Sequence, residues 1–114
     1  MERYEVSFLE EAQEDLDEII LFIAQNSRAA AIRMHDRIID KAKDLSLFPK
    51  RGRPVPDKKM SDAGYRMLAI KPYIAFYRII GRNVFIYRVI HGASNYPMLY
   101  EKMAQSTNEI NLEL

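Results

Sequence analysis

A chain of 114 residues, of which 48% are apolar and 29% are charged, has the size and composition of one globular domain. It contains no cysteine, which excludes disulfide bonds and thiolate metal sites and suits a reducing compartment. The first residues lack the apolar segment of a secretory leader, and no apolar run reaches membrane-spanning length. We therefore expect a cytoplasmic protein that does not enter a membrane.

The net charge of +1 is the sum of two oppositely charged segments. Residues 1–25 hold eight acidic residues against a single arginine, whereas residues 28–92 hold fifteen lysines and arginines against five acidic residues. This asymmetry favours a polyanionic or acidic partner for the basic part. The alternative is that an acidic helix complements the basic remainder within one fold.

The first half of the chain predicts a short strand followed by a helical hairpin. Residues 4–8 alternate apolar and polar side chains, and Ser7 and Glu10 have the spacing of a capping box for the next helix. Ser27 is a suitable N-cap for a second helix. Both helices repeat apolar residues at three- and four-residue steps, so we expect an antiparallel hairpin with one apolar side.

The second half predicts a basic loop and then a meander of three strands. Phe48 is expected on the core, before a loop over residues 50–64 that is rich in glycine, proline and basic side chains. Strand-like runs follow at residues 65–70, 73–80 and 84–91. Their short connections make them antiparallel neighbours.

The predicted fold class is therefore α+β. An N-terminal strand and an antiparallel helical hairpin pack on a three- to four-stranded antiparallel sheet, with a short C-terminal helix over residues 98–103. Residues 1–103 form the single domain, and residues 104–114 form a polar tail.

Arginines recur inside the three strand-like runs, where an unpaired charge is costly to bury. Alternation along the strands predicts that Arg66, Arg78 and Arg88 share one sheet face with large aliphatic residues. The hairpin covers only one face, so the arginine face should bind a partner. The alternative for each arginine is an ion pair with the acidic first helix, or a solvated position. The tyrosines of opposite parity are expected beneath the helices: Tyr65, Tyr73, Tyr77 and Tyr87.

Short motifs spread over residues 4–103 together resemble one protein family. They are Ala12 with Asp15-Leu16 and Ile19; Leu45 with Phe48-Pro49; Gly52-Arg53; Tyr65-Arg66 with Leu68; Phe76-Tyr77-Arg78; and Arg88-Val89-Ile90-His91-Gly92 before Tyr96-Pro97 and Leu99. Each motif is weak alone, but their order and spacing resemble the RelE/ParE superfamily of toxins from type II toxin–antitoxin systems.

The resemblance implies one of two activities. ParE-like members inhibit DNA gyrase by protein–protein contact, and RelE-like members are endoribonucleases that cut mRNA on the ribosome. Both imply growth inhibition, plasmid stabilisation, no cofactor, and a hetero-oligomer with a cognate antitoxin. Leu68 and Ile74 replace basic groups of RelE-like members, and the motif around His91-Gly92 resembles the ParE branch, so we favour gyrase inhibition. A third possibility is an inactive relative that only binds its antitoxin.

The resemblance also implies site residues for each activity. The ParE-like interpretation has no catalytic residue, whereas the RelE-like alternative would use Arg66, Arg78, Arg88, His91 and Tyr100. In either case the antitoxin should cover the non-helical sheet face, at Leu68, Ile74, Phe76, Arg78, Ile86 and Arg88. His91 is expected to have a structural role, because the cations that would accompany a catalytic histidine are missing. Two isolated histidines without cysteine predict no metal site.

Overall fold

A helical hairpin covers one face of a five-stranded sheet in the computed structural model, which describes residues 3–92, 100 and 102–105. The strands are β1 (Glu5–Phe8), β2 (Arg53–Pro54), β3 (Arg66–Ile70), β4 (Tyr73–Ile80) and β5 (Asn83–His91). The helices are α1 (Glu10–Ala24), α2 (Arg28–Asp44) and the short α3 (Lys58–Asp62). Residues 100 and 102–105 are helical too, and the rest of the predicted C-terminal helix lies outside the described residues. Within these ranges, no helix is long and apolar enough to cross a membrane.

The α+β prediction is confirmed, with two differences in the sheet. The strand order is β1-β5-β4-β3-β2, so the predicted meander forms its centre. The first difference is that β1 pairs with β5 in parallel, which the long connection between them allows. The second is the fifth strand, β2, which pairs with β3 through two residues only. So short a strand, containing a proline, shows no alternation that the sequence pattern could reveal.

The prediction that Arg66, Arg78 and Arg88 share one sheet face is wrong. A two-residue connection places its flanking residues opposite each other, as Ile70 and Tyr73 are. Even-numbered side chains of β3 therefore share a face with odd-numbered side chains of β4. Arg66 and Arg78 consequently lie on opposite faces of the sheet.

Apolar side chains fill both faces of the sheet. The larger cluster lies beneath the hairpin and consists of Ala12, Leu16, Ile38, Ala42, Leu45, Leu68, Ile70, Ala75, Tyr77, Val84, Ile86 and Val89. The second cluster covers the opposite face and consists of Val55, Met60, Tyr65, Met67, Phe76, Tyr87 and Met103. The predicted tyrosine layer is thus divided, because only Tyr73 and Tyr77 pack with the hairpin cluster. The face that the hairpin leaves is covered by α3 and the C-terminal helical residues.

The two long helices begin differently. Leu9 is the N-cap of α1 and no side chain caps it, so the predicted capping box of Ser7 and Glu10 does not form. Ser7 lies instead in the extended backbone of β1. Ser27 caps α2 as predicted, because its hydroxyl accepts a hydrogen bond from the Ala30 N–H at 3.1 Å.

The segment predicted as a loop, residues 50–64, contains β2 and α3. Asp57 caps α3 by accepting a hydrogen bond from the Met60 N–H at 3.0 Å, and Met60 is fully buried. Phe48 is 48% exposed, which makes its predicted core position wrong. Its ring lies under the Arg51 guanidinium, 4.9 Å from the ring centre. Met60, and not Phe48, therefore anchors this segment to the core.

Replacement of Leu16 by alanine should lower the free energy of unfolding by about 2–5 kcal/mol, because it leaves a cavity in the hairpin cluster. Leu16 is 1% exposed, whereas Leu21 on the same helix is 68% exposed. Leu21→Ala is the matched control and should change stability by less than about 0.5 kcal/mol. Urea denaturation followed by circular dichroism measures both. Equal losses would contradict this assignment of the apolar face of α1.

Candidate functional site

Asp15 of α1 and Arg88 of β5 form an ion pair between the hairpin and the sheet. The Arg88 Nε and one terminal nitrogen donate to the two carboxylate oxygens at 2.7 and 2.9 Å. The Val89 backbone N–H donates to the same carboxylate at 2.9 Å. Both charged side chains are mostly buried, with 13% of Asp15 and 20% of Arg88 exposed. The structure therefore shows, for Arg88, the alternative expected from the sequence: an ion pair with the acidic first helix.

A β-bulge adjoins this ion pair. The register of β4 and β5 shifts between Phe76 and Tyr77, so Tyr87 is an extra residue on β5. Strict alternation along β5 ends at this point, because Ile86 and Val89 both pack in the hairpin cluster. The hydrogen bonds to Asp15 hold the Arg88 guanidinium at the hairpin side, although Phe76, the neighbour of Arg88 across the ladder, packs in the second cluster.

The pKa of Arg88 is raised, chiefly by the hydrogen bond to Asp15. Burial acts in the opposite direction, and the negative charges of Asp15, Glu11 and Glu18 add to the increase. A basic group whose pKa is higher in the folded state stabilises the fold below its unfolded pKa and loses this contribution as the pH rises through the folded value. Because arginine titrates far above neutral pH, Arg88 is charged at neutral pH with or without the ion pair.

Arg66 and Tyr77 fix the backbone that joins α2 to β2. The Arg66 Nε and a terminal nitrogen donate to the Gly52 carbonyl at 3.0 and 2.6 Å, and the same terminal nitrogen donates to the Lys50 carbonyl at 3.3 Å. The Tyr77 hydroxyl donates to the Pro49 carbonyl at 2.7 Å and accepts from the Gly52 N–H at 2.9 Å. Arg66 therefore serves as an anchor for a basic loop.

Gly52 fits where no larger residue would. A Cβ atom at this position would lie 2.7 Å from both the Met67 carbonyl oxygen and the Tyr77 hydroxyl. Any side chain would therefore displace the loop from the sheet, together with the neighbouring arginines Arg51 and Arg53.

Arg78 and Tyr100 meet at the ring of Tyr65. The guanidinium carbon of Arg78 lies 5.4 Å from the centre of this ring, and Tyr100 contacts it edge to face with 6.1 Å between ring centres. Lys59 of α3 lies 5.5 Å from the centre of the Tyr100 ring. The second face of the sheet thus carries an aromatic group with two nearby cations.

His91 lies exposed at the end of β5, with its ring edge to face against Tyr73 at 5.9 Å between ring centres. It lines a groove of about 380 Å³ beside α1, together with Asp15, Glu18 and Phe22. The residues predicted for RNA cleavage are therefore divided among three places. Only Arg78 and Tyr100 share a ring contact, whereas Arg66 lies at the basic loop, and Arg88 and His91 lie beside acidic side chains of α1. The described ranges contain no cluster of histidine, aspartate and glutamate that could hold a metal ion.

The six residues predicted to bind the antitoxin do not form one surface. Leu68 and Ile86 are buried beneath the hairpin, and Phe76 is buried in the second cluster. Arg88 is engaged by α1, as described above. The predicted common face is therefore wrong. It assumed that even-numbered side chains of β3 and β4 lie on the same face, whereas the two-residue connection places them on opposite faces.

Leu68 and Ile74 do line a groove of about 540 Å³ at the β3 edge of the sheet, which we call the edge groove. Its floor is apolar and also includes Met67, Ala69 and Pro72. Its rim is basic and consists of Lys41, Arg51, Arg53 and Lys71. None of these four basic residues is among the site residues predicted from the sequence. Two features of the sequence could have identified the site. They are the basic run at residues 50–53 and the Lys71-Pro72 connection between β3 and β4.

The profile of the family described as "ParE toxin of type II toxin-antitoxin system, parDE" matches residues 6–96 of the chain. The chain belongs to the ParE toxin family. It is similar to Toxin ParE3 of Caulobacter vibrioides, with 31% identity over 83 residues that cover 71% of this chain and 79% of ParE3. The protein is therefore a toxin of a type II toxin–antitoxin system, within the RelE/ParE superfamily that its motifs resemble.

Two solved structures have the same fold. The chromosomal ParDE toxin–antitoxin system of P. aeruginosa contains a chain with a TM-score of 0.64 and 22% identity, and the match covers 78% of this chain and 96% of that one. The RelBE2 toxin–antitoxin complex of Mycobacterium tuberculosis contains one with a TM-score of 0.60 and 27% identity, over 78% and 98% of the two chains. The fold is thus common to relatives named after both branches.

Removal of the Asp15 carboxylate should destabilise the toxin by about 2–4 kcal/mol, because Asp15→Ala leaves a mostly buried guanidinium without its partner. Denaturation of the Asp15→Ala protein at neutral pH measures the loss. Glu14→Ala is the control, since Glu14 lies exposed on the same helix. The double variant Asp15→Ala/Arg88→Met should recover part of the stability. A double variant that is less stable than Asp15→Ala would contradict the role of the pair.

Loss of the Tyr77 hydroxyl should loosen the basic loop while leaving the ring in the core. Tyr77→Phe removes the hydrogen bonds to Pro49 and Gly52, which costs about 1–3 kcal/mol. Hydrogen exchange of the Gly52 amide should accelerate by at least about tenfold. Tyr73→Phe is the control, because Tyr73 lies on the same strand and outside this loop. Unchanged exchange at Gly52 in Tyr77→Phe would contradict the anchoring role.

Proposed function

We propose that this toxin inhibits DNA gyrase by protein–protein contact in the cytoplasm, and that a cognate antitoxin neutralises it in a hetero-oligomer. Growth inhibition and the stabilisation of a plasmid that carries the pair would follow. Membership of the ParE family supports this proposal. The observation that favours it over RNA cleavage is that the guanidinium groups of Arg66 and Arg88 donate hydrogen bonds to partners within the chain.

Cleavage of RNA by its 2′-hydroxyl needs a base, an acid and cations that converge on one phosphate. Arg66 donates to the Gly52 and Lys50 carbonyls, and Arg88 donates to Asp15. Redirecting either guanidinium to a phosphate would leave these acceptors without their donors, at a cost of about 1–3 kcal/mol each. Both arginines thus act as structural residues, and an inhibitor that works by surface contact needs no converging cations.

A second candidate is a ribosome-dependent mRNA endonuclease. The gathering of Arg78 and Tyr100 at Tyr65, with Lys59 at the Tyr100 ring, favours it, because aromatic rings and cations together can bind an unstacked base and its phosphate. Under this alternative the Tyr100 hydroxyl would take part in proton transfer. An inactive relative that only binds its antitoxin is the third candidate.

Two assays on the purified toxin distinguish these activities. We expect the toxin to stop supercoiling of a relaxed plasmid by gyrase in proportion to the ratio of toxin to gyrase. Primer extension on mRNA from translating ribosomes should show no new ends. Tyr100→Phe keeps the ring contact with Tyr65 and should inhibit gyrase as well as the unmodified toxin does.

Codon-specific cuts in the mRNA that disappear in Tyr100→Phe would overturn gyrase inhibition in favour of the endonuclease. Arg66→Ala is the companion variant, with its stability measured in parallel because Arg66 anchors a loop. Activity in neither assay, with intact antitoxin binding, would identify the inactive relative.

For the antitoxin, we propose that an extended acidic and apolar segment occupies the edge groove. The groove replaces the common sheet face expected from the sequence, and it retains Leu68 and Ile74 of the predicted contacts. An apolar floor with a basic rim is complementary to such a segment.

Reversal of two rim charges tests this site. Arg53→Glu/Lys71→Glu changes only exposed side chains and should weaken binding of the cognate antitoxin by at least about tenfold. Arg28→Glu, an exposed basic residue of α2 outside the groove, is the control. Isothermal titration measures the affinity. Equal affinity of the unmodified toxin and both variants for the antitoxin would place its binding site elsewhere.

A further inference from the structure

A phenylalanine is held at the surface where α2 leads into the basic loop. Phe48 is 48% exposed, although its backbone is fixed: its N–H donates to the Asp44 carbonyl at 2.9 Å, and its carbonyl accepts from the Arg51 N–H at 3.0 Å. The next carbonyl, that of Pro49, accepts from the Tyr77 hydroxyl at 2.7 Å. An exposed apolar ring on a fixed backbone loses little conformational entropy when a partner covers it.

A groove of about 570 Å³ lies against this ring, and we call it the Phe48 groove. Its apolar part consists of Tyr4, Phe48, Pro49 and Ile79, and its basic part consists of Lys50 and Arg51. Tyr4 is held beside the end of α2, because its N–H donates to the Ser46 carbonyl at 2.8 Å. Arg51 also lines the edge groove, so the two grooves adjoin.

Two guanidinium groups lie over the aromatic rings of the Phe48 groove. The guanidinium carbon of Arg51 is 4.9 Å from the centre of the Phe48 ring, and that of Arg82 is 5.6 Å from the centre of the Tyr4 ring. These contacts place positive charge directly beside apolar surface. Tyrosine and arginine are also among the residues that contribute most to the binding energy of protein–protein interfaces. The composition of the groove is therefore that of the centre of such an interface.

The charge around this groove is positive. The described residues that line it include two cations and no acidic side chain, and Arg82 adds a third cation at the Tyr4 ring. Asp44 approaches Arg51 at 3.4 Å, but 49% and 44% of the two side chains are exposed, so this contact offsets little of the charge. We therefore expect an occupant that is acidic around an apolar side chain.

A protein segment fits the Phe48 groove better than a nucleic acid does. The side chains of Phe48, Pro49 and Ile79 have no hydrogen-bond donor or acceptor for the polar edge of a base, and the Pro49 carbonyl is already engaged by Tyr77. A base in this position would give up hydrogen bonds with water without replacing them. An aliphatic or aromatic side chain gives up none, and carboxylates beside it can approach the cations.

We propose that the Phe48 groove is the surface by which the toxin contacts its target protein, and that the target inserts a large apolar side chain flanked by carboxylates. This inference rests on the proposed function and deepens it, since it names the residues that face the target. Phe48 and Tyr4 contact the inserted side chain, and Arg51 and Arg82 approach the carboxylates. Because Arg51 lines both grooves, the target and the antitoxin compete for it.

Phe48→Ala tests this surface, with Phe22→Ala as the matched control. Phe22 is 67% exposed but lies beside the acidic side chains of Asp15 and Glu18. Both variants are compared with the unmodified toxin for growth inhibition in cells and for binding of purified gyrase by biolayer interferometry. We expect Phe48→Ala to weaken gyrase binding by at least about tenfold and to relieve growth inhibition, whereas Phe22→Ala should change neither. Circular dichroism establishes that each variant is folded.

Charge reversal at the turn between β4 and β5 provides a second variant that keeps Phe48. Arg82→Glu should weaken gyrase binding by at least about tenfold, whereas Arg28→Glu, an exposed position of α2 outside the groove, should leave it unchanged. Equal binding of gyrase by Phe48→Ala, Arg82→Glu and the unmodified toxin would overturn the role of this groove and leave gyrase inhibition standing.

The remaining outcomes separate the groove from the identity of the target. If the unmodified toxin inhibits growth without binding gyrase, the proposed target is wrong; loss of growth inhibition in Phe48→Ala would then still support the groove, and its persistence would overturn it. A fluorescent single-stranded RNA that binds the unmodified toxin but not Phe48→Ala would overturn the protein occupant in favour of nucleic acid. A toxin that neither inhibits growth nor binds gyrase has no target for the groove, which would also overturn the inference.

Discussion

The arrangement of helices on the sheet depends on the contact between Asp15 and Arg88. Apolar packing alone holds α1 near the sheet but does not determine its position along β5, because apolar contacts are not directional. Three hydrogen bonds to one mostly buried carboxylate do determine it, since two of them come from a guanidinium and the third from the neighbouring backbone. The same contact removes Arg88 from the surface. Under the proposed function, Arg88 joins two layers of the fold and has no substrate to bind.

Both faces of the sheet are occupied within the chain, which is why we propose that the antitoxin binds at its edge. The hairpin covers one face, and α3 with the C-terminal helical residues covers the other. Arg66 and Tyr77 then place the basic loop beside β3, and Gly52 permits the close approach. A strand edge, an apolar floor and a basic rim come together there because the same interactions that complete the fold also position the loop. The proposed antitoxin site is in this sense a consequence of the packing.

Much of the fold could be predicted from periodicity, and the errors have identifiable physical causes. The two long helices, the cap at Ser27 and the three-stranded meander follow from local patterns. The site depended on which side chains share a face, and this was decided by a two-residue connection at Lys71-Pro72 and by a bulge at Tyr87. Each shifts by one residue which side chains of neighbouring strands share a face, and the propensities of individual residues do not indicate such a shift. The strand β2 was missed because two residues carry no period. The role of Arg66 depends on hydrogen bonds to backbone carbonyls. Every residue has such a carbonyl, so the sequence does not indicate which of them an arginine will bind.

The parallel pairing of β1 with β5 has a consequence for how the toxin is made. Glu5 pairs with Asn83, so the first strand to leave the ribosome waits for one of the last before it can join the sheet. The hairpin that follows β1 can form early, but its apolar side stays uncovered until the meander has been synthesised. A nascent toxin therefore remains incomplete for most of its translation.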